Sequence, residues 1–141
     1  MYTVKIKVRT SDIEGKGVFA AEKVSKGKIV WLYDSGKDLA VTQEEFAKFD
    51  QDKKDWFHHS AYLSPWTGLW ICPPENDASN YTNHGAGNNL TAQYDPSVSS
   101  EPFFIANRDI EVGEEITNNY HEFDTLTRAT NPEWAKIARR K

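Results

Sequence analysis

Gly113-Glu114-Glu115-Ile116-Thr117-Asn118-Asn119-Tyr120 is the stretch on which the fold turns. Glu111-Val112-Gly113-Glu114 has turn chemistry, Ile116-Thr117 is a short β-branched strand, and Tyr120 comes after it, ahead of His121-Glu122-Phe123-Asp124. A tyrosine so placed commonly buries its ring and bonds its hydroxyl to a carbonyl; a phenol can equally orient or polarise a reacting group. About thirty residues upstream stands Asn83-His84, in a polar run that closes at Asn89. Asn83 offers a side-chain donor and acceptor, His84 a ring and a backbone amide. Near the N-terminus lies Glu14-Gly15-Lys16-Gly17-Val18-Phe19-Ala20. Gly15 and Gly17 have no Cβ and let the backbone approach a ligand closely. Without a third glycine or a subsequent helix, they are not a dinucleotide fingerprint.

Around these segments the chain reads as many short strands and few helices. Val4, Ile6 and Val8 alternate with Lys5, Lys7 and Arg9, which predicts a first strand with Val4, Ile6 and Val8 on one face. Val18-Phe19-Ala20, Lys28 to Tyr33, Leu69 to Cys72, Leu90 to Tyr94 and Phe103 to Asn107 read as further strands. Thr42 and Glu45 make a capping box that predicts a helix start, and Asp50-Gln51-Asp52 predicts a break in the helical pattern. Glu75 to Asn89 has the composition of a solvated loop. Asn131-Pro132-Glu133 predicts the start of a C-terminal helix over about 131–140. No repeat or linker divides the chain, so a single domain over 1–141 is expected, with a variable insert at about 40–68.

The 141 residues are 38% hydrophobic and 27% charged, which suits a folded domain with a real core. A net charge of −4 disfavours direct binding of nucleic acid and suits a basic peptide. Cys72 is the sole cysteine, so intramolecular disulfides and Cys-rich zinc sites are excluded; a buried, inert thiol in a reducing compartment is the expectation. Adjacent His58-His59 cannot face one metal together, and no metal site is expected. No apolar run approaches the length of a membrane span, and the N-terminus lacks the apolar block of a signal peptide; an intracellular protein, cytoplasmic or nuclear, is expected.

Taken together, Gly15-Lys16-Gly17, Asn83-His84 through Asn89, Asn107-Arg108-Asp109-Ile110 and Gly113 to Tyr120 resemble, in order and spacing, the motifs of the SET-domain protein-lysine methyltransferases. The likeness runs over roughly residues 3–124. It implies a mainly β chain with few short helices, in the SET-type (β-clip) fold of small curled sheets, its C-terminal segment threaded beneath the Asn-His loop as a pseudoknot. It implies S-adenosylmethionine as cofactor, with Gly15, Lys16, Gly17, Asn83, His84 and Tyr120 around it and Phe123 or Trp134 closing over the adenine. A target lysine of a protein or peptide would enter by a channel holding Tyr62, Trp66 and Tyr120, with Tyr120 as the catalytic phenol. A homodimer fits the short, single-domain type. The chain departs from the family pattern at Gly85-Ala86, where Ser-Cys is usual, at Asn88, where Pro is usual, and at Asn80, where Arg is usual; the zinc-binding post-SET cysteines are absent. These departures keep open a second reading, a catalytically inactive SET-like module that binds peptide or cofactor.

Overall fold

The computed structural model describes residues 1–85 and 87–125. The strands are β1 (Ile6–Thr10), β2 (Lys16–Ala20), β3 (Ile29–Trp31), β4 (Leu39–Val41), β5 (Tyr62–Leu63), β6 (Trp70–Cys72), β7 (Asn83–His84), β8 (Leu90–Gln93), β9 (Phe103–Ala106) and β10 (Glu115–Asn118). The helices are α1 (Gln43–Ala47), α2 (Gln51–Ser60) and the single turn α3 (Tyr120–Phe123), with a 3₁₀ turn at Ala78–Tyr81. Three small sheets result, ordered β1-β2-β10-β7, β3-β9-β8 and β4-β6-β5. The mainly β architecture of the sequence reading is the one observed.

Local chemistry accounts for most of these elements. Thr42 and Glu45 form the capping box, and Asp50 then caps α2 through the Lys53 amide, so the Asp50 break separates two helices. Gly27 and Gly113 take φ of 89° and 87° in the turns before β3 and β10. The β1 expectation needs correction. Val8 is 37% exposed, because β1 is the edge strand of its sheet and only its N-terminal end, at Ile6, packs on the core. The 75–89 stretch is not one loop: Asp77 caps the 3₁₀ turn, and Asn83-His84 is a strand. Strands β4 and β5 and helix α3 are too short to leave a periodic signal. The expected helix at 131–140 lies outside the described residues.

Two apolar clusters hold the sheets. Val18, Val24, Val30, Ile71, Ile110 and Ile116, all fully buried, sit in the larger one. Phe57, Leu63, Trp70 and buried Cys72 make the smaller, where Phe46 stacks on Trp70 at 4.5 Å and anchors α1 and α2.

Strand β10 ties the three motifs together. It pairs antiparallel with β2 (Ile116↔Val18) and parallel with β7 (Thr117↔Asn83, Asn118↔His84). That parallel pair brings a chain segment beneath the Asn-His strand. Asn89 locks it: its Nδ2 donates to the Glu115 carbonyl at 2.8 Å, and its Oδ1 accepts from the Thr117 amide at 2.9 Å. Asn89 is 1% exposed, so neither backbone group has water as a substitute. Asn89→Ala is expected to cost about 3 kcal/mol, the penalty for orphaning two buried backbone groups. Urea unfolding of the two proteins measures it, and a loss below about 1 kcal/mol would show the clamp to be dispensable.

Candidate active site

Side chains of β10 alternate between two cavities, as a period of two requires. Glu115 and Thr117 line an open cleft of about 610 Å³ together with Glu14, His84, Gly85 and Arg108. Asn118, and Tyr120 just beyond the strand, line an enclosed cavity of about 70 Å³ with Tyr62, Phe123, Thr82 and His59. The strand is the wall between them. His84 lines the cleft and Tyr120 the enclosed cavity, yet the two touch: the Tyr120 amide donates to His84 Nδ1 at 3.0 Å, and the rings are 5.1 Å apart. That bond leaves the His84 proton on Nε2.

Two residues of the cleft lining, Glu14 and Glu115, bond to Asn83, which is 4% exposed. Its Nδ2 has four oxygen acceptors within hydrogen-bonding distance: Glu115 Oε2 (2.9 Å), the Lys16 carbonyl (3.1 Å), Ser11 Oγ (3.2 Å) and the Glu14 carbonyl (3.2 Å). Two amide protons cannot serve four acceptors. The glycines make this convergence possible by different means. Gly15 has φ of 47°, a left-handed turn that delivers the flanking carbonyls. Gly17 provides room: a Cβ there would overlap the Glu115 carboxylate and lie 3.0 Å from Ser11 Cβ. Ser11 Oγ donates to the Glu115 carboxylate at 2.7 and 2.9 Å and fixes it. The side chain of Lys16 turns outward, its Nζ 5.7 Å from the Tyr81 ring centre.

The enclosed cavity has aromatic walls. Phe123 meets Tyr62, Phe104 and Tyr120 edge-on at 5.0, 4.8 and 5.8 Å. The Tyr120 hydroxyl, buried, donates to the Thr82 carbonyl at 2.9 Å. Burial pushes the Tyr62 phenol well above its ordinary pKa, so it stays neutral at physiological pH.

The residues singled out in the sequence fall into separate groups. His84 lines the cleft, Asn83 bonds to the Lys16 carbonyl and to the cleft residue Glu115, and Tyr62 and Tyr120 share the enclosed cavity. Phe123 lies with the latter pair, 4% exposed, and does not line the open cleft. Trp66 is outside the cavity lining: it is 37% exposed and stacks on Tyr94 at 6.0 Å. Trp134 lies outside the described residues. Sequence reading missed Ser11, the side chain of Glu115, Thr82, Asn118 and His59. Strand alternation along 115–118 was the available signal for Glu115 and Asn118; nothing local marks the other three, which are brought in by tertiary packing.

Gly85 and Asn88, two of the departures from the family pattern, have defined neighbours. A Cβ at Gly85 would meet only the Thr117 side chain, at 3.4 Å or beyond. Asn88 Nδ2 donates to the Leu90 carbonyl and to Glu122, and Asn107 donates to the Asn88 carbonyl and Thr91. At the position where arginine is usual, Asn80 Nδ2 donates to the carbonyls of Pro74, Glu75 and Asp77 and holds the 3₁₀ turn.

A strand threaded beside an Asn-His segment, with a tyrosine at the seam of two cavities, defines the class, and comparison with known proteins agrees. The chain belongs to the SET domain family, whose model matches residues 15–121. No curated protein sequence matches it. Among solved structures it is similar to a candidate histone methyltransferase of Plasmodium falciparum, with 20% identity, TM-score 0.54, and coverage of 84% of this chain and 94% of that one. It is also similar to a chain of Chaetomium thermophilum Polycomb Repressive Complex 2, with 23% identity and TM-score 0.63, covering 92% of this chain and 17% of that one. The same complex bound to S-adenosylmethionine gives 23% identity and TM-score 0.63, covering 90% of this chain and 16% of the other. At these identities the likenesses establish the fold. Among the described residues no helix is long and apolar enough to cross a membrane.

Proposed function

We propose that the protein is an S-adenosylmethionine-dependent methyltransferase acting on a lysine side chain of a protein or peptide. One observation carries the reading: an open polar cleft and an enclosed aromatic cavity meet at the hydrogen-bonded pair His84 and Tyr120. Two compartments with one seam suit a reaction between two molecules that enter from different sides.

The cleft fits the amino-acid end of the cofactor. An ammonium group has three donors and no acceptor, and Glu115, Glu14, Lys16 and Ser11 present an acceptor set with one carboxylate in it. Asn83 holds those oxygens together, and Gly15 and Gly17 admit them. When bound, S-adenosylmethionine would supply a methyl group carried on positively charged sulfur.

The chain's own residues supply the rest. Lysine has a pKa of about 10.4 in water and enters as an ammonium. Burial between Tyr62, Tyr120 and Phe123 disfavours the charged form and moves it toward the nucleophilic amine. The same walls exclude water and restrict the approach of the amine to one direction, which supplies rate through alignment. Tyr120 is fixed at its amide by His84 and at its phenol by the Thr82 carbonyl. A single domain spanning 1–141, with 40–68 as its insert, completes the reading.

Transfer of radiolabelled methyl groups from S-adenosylmethionine onto a lysine-containing peptide pool tests it. Label on lysine is the expected result. Cofactor binding by calorimetry with no label transferred would leave an inactive binding module, and no heat of binding at high micromolar cofactor would overturn both. Gly17→Ala is expected to weaken cofactor binding at least about tenfold, because the new methyl displaces the Glu115 carboxylate. Calorimetry reads the change; an unaltered Kd would separate Gly17 from the cofactor end.

A further inference from the structure

Three buried polar atoms of the enclosed cavity's lining residues have no hydrogen-bond partner among the described residues: Tyr62 Oη, Asn118 Oδ1 and His59 Nδ1. A buried polar atom left unpaired is costly, and each such atom in a folded protein calls for a reason. Here the residues that carry them, on helix α2, strand β5 and strand β10, all line one space of about 70 Å³. Their chemistry is complementary to one kind of guest. An alkylammonium brings three N–H donors and no acceptor, and the three atoms can each accept one.

The three are not equivalent. A neutral phenol and a carboxamide accept a hydrogen bond without taking the proton at any ordinary pH. An imidazole nitrogen can take it, because histidine changes charge near neutrality. His59 is partly exposed as a residue while its Nδ1 is buried, and the residue lines the cavity. The other ionisable groups around the cavity are Tyr2, Tyr62, Tyr120 and Asp124; on the same helix stand Lys54, Asp55 and His58.

We propose that His59 is the proton acceptor for the target amine, with Tyr62 and Asn118 as the two acceptors that retain it. The assignment rests on the methyltransferase reading above. The lysine ammonium gives one proton to His59 Nδ1, which becomes an imidazolium, and the amine keeps two N–H groups for Tyr62 Oη and Asn118 Oδ1. Rotation about its terminal C–N bond, which gives up one of those two hydrogen bonds, turns the lone pair to the seam. The N–C bond forms there as the C–S bond breaks, the bonding pair leaves with sulfur, and the product is a methylated ammonium plus a neutral thioether. His59 then releases its proton to solvent, which accounts for the one proton the reaction liberates.

The test uses His59→Gln beside the parent chain. n-Butylamine, the simplest mimic of the lysine side chain, is titrated into the parent protein, and the His59 ring-nitrogen resonances are tracked by NMR. They are expected to move. Methyl transfer onto a lysine-centred peptide pool is then measured from pH 6 to 10. For His59→Gln the turnover at pH 7 is expected to fall at least about tenfold and to recover as the pH rises, displacing the half-maximal point by one pH unit or more, with the Kd for S-adenosylmethionine unchanged. Resonances that ignore butylamine, or pH profiles that superimpose, overturn the role of His59 while leaving the methyltransferase reading intact. A parent chain with no turnover at any pH overturns that reading and the His59 role with it.

Discussion

Tyr120→Phe is expected to lower methyl transfer about a hundredfold or more, with the fold and the cofactor Kd preserved. A hundredfold corresponds to about 2.7 kcal/mol of transition-state stabilisation, the size of one well-placed polar group in a site shielded from water. The substitution removes only an oxygen. The ring keeps its edge-on contact with Phe123 and its place beside His84, and the Tyr120 amide still donates to His84 Nδ1. What is lost is the 2.9 Å bond to the Thr82 carbonyl and the phenol oxygen itself. The first costs about 1 kcal/mol or somewhat more of stability, too little to unfold the chain. The second acts on the reaction. Because the phenol proton is donated to Thr82, the oxygen meets a reacting group through its lone pairs. Single-turnover rates with saturating cofactor measure the effect, and a rate within twofold of the parent's would remove Tyr120 from the mechanism.

Asn83→Ala is expected to raise the Kd for S-adenosylmethionine about a hundredfold, again about 2.7 kcal/mol. Glu115 Oε2 and the carbonyls of Glu14 and Lys16 converge on Asn83 Nδ2, with Ser11 Oγ as a second donor to the carboxylate. Without it, the two carbonyls and the carboxylate face one another with only the Ser11 hydroxyl left to donate. The acceptor set relaxes apart, and the place for an ammonium goes with it. Some folding stability is lost as well, since Asn83 is buried in β7. Asn83→Asp separates shape from charge: it matches the volume but puts a carboxylate among four acceptors, and should bind cofactor no better than the alanine variant. Calorimetry on both variants, with circular dichroism to establish folding, decides the matter. A parental Kd in Asn83→Ala would mean the cofactor end lies elsewhere.

Much of this molecule was legible before any coordinates. The Thr42-Glu45 capping box, the Asp50 break and the turn at Gly113 rest on contacts between residues close in sequence, and the strands β2, β3, β6, β8 and β9 announce themselves by local composition even where, as for β3 with β9, their partners are distant. Signals of that range survive in a one-dimensional reading. Asn83-His84 misled for the opposite reason. Its composition is that of a loop, and its strand geometry comes from pairing with Thr117 and Asn118, more than thirty residues on. Val8 likewise has a core pattern and an edge position; alternation predicts the face, and only the neighbours decide whether that face is covered.

By itself the sequence determined the family and the positions that carry its motifs. The spacing of Gly15-Lys16-Gly17, Asn83-His84 and Gly113 to Tyr120 is written in covalent order, and that order is enough to specify the SET fold. Tertiary structure alone decided how the residues divide. Period-two alternation sends Glu115 and Thr117 into one cavity and Asn118 and Tyr120 toward the other, but which cavity is polar and which is aromatic depends on what packs opposite: Ser11 and Asn83 on one side, Tyr62, Phe123 and His59 on the other. Phe123 entered the aromatic side and Trp66 stayed at the surface for the same reason. A side chain's type sets what it can bond to, while burial and neighbours, both long-range, set what it does bond to.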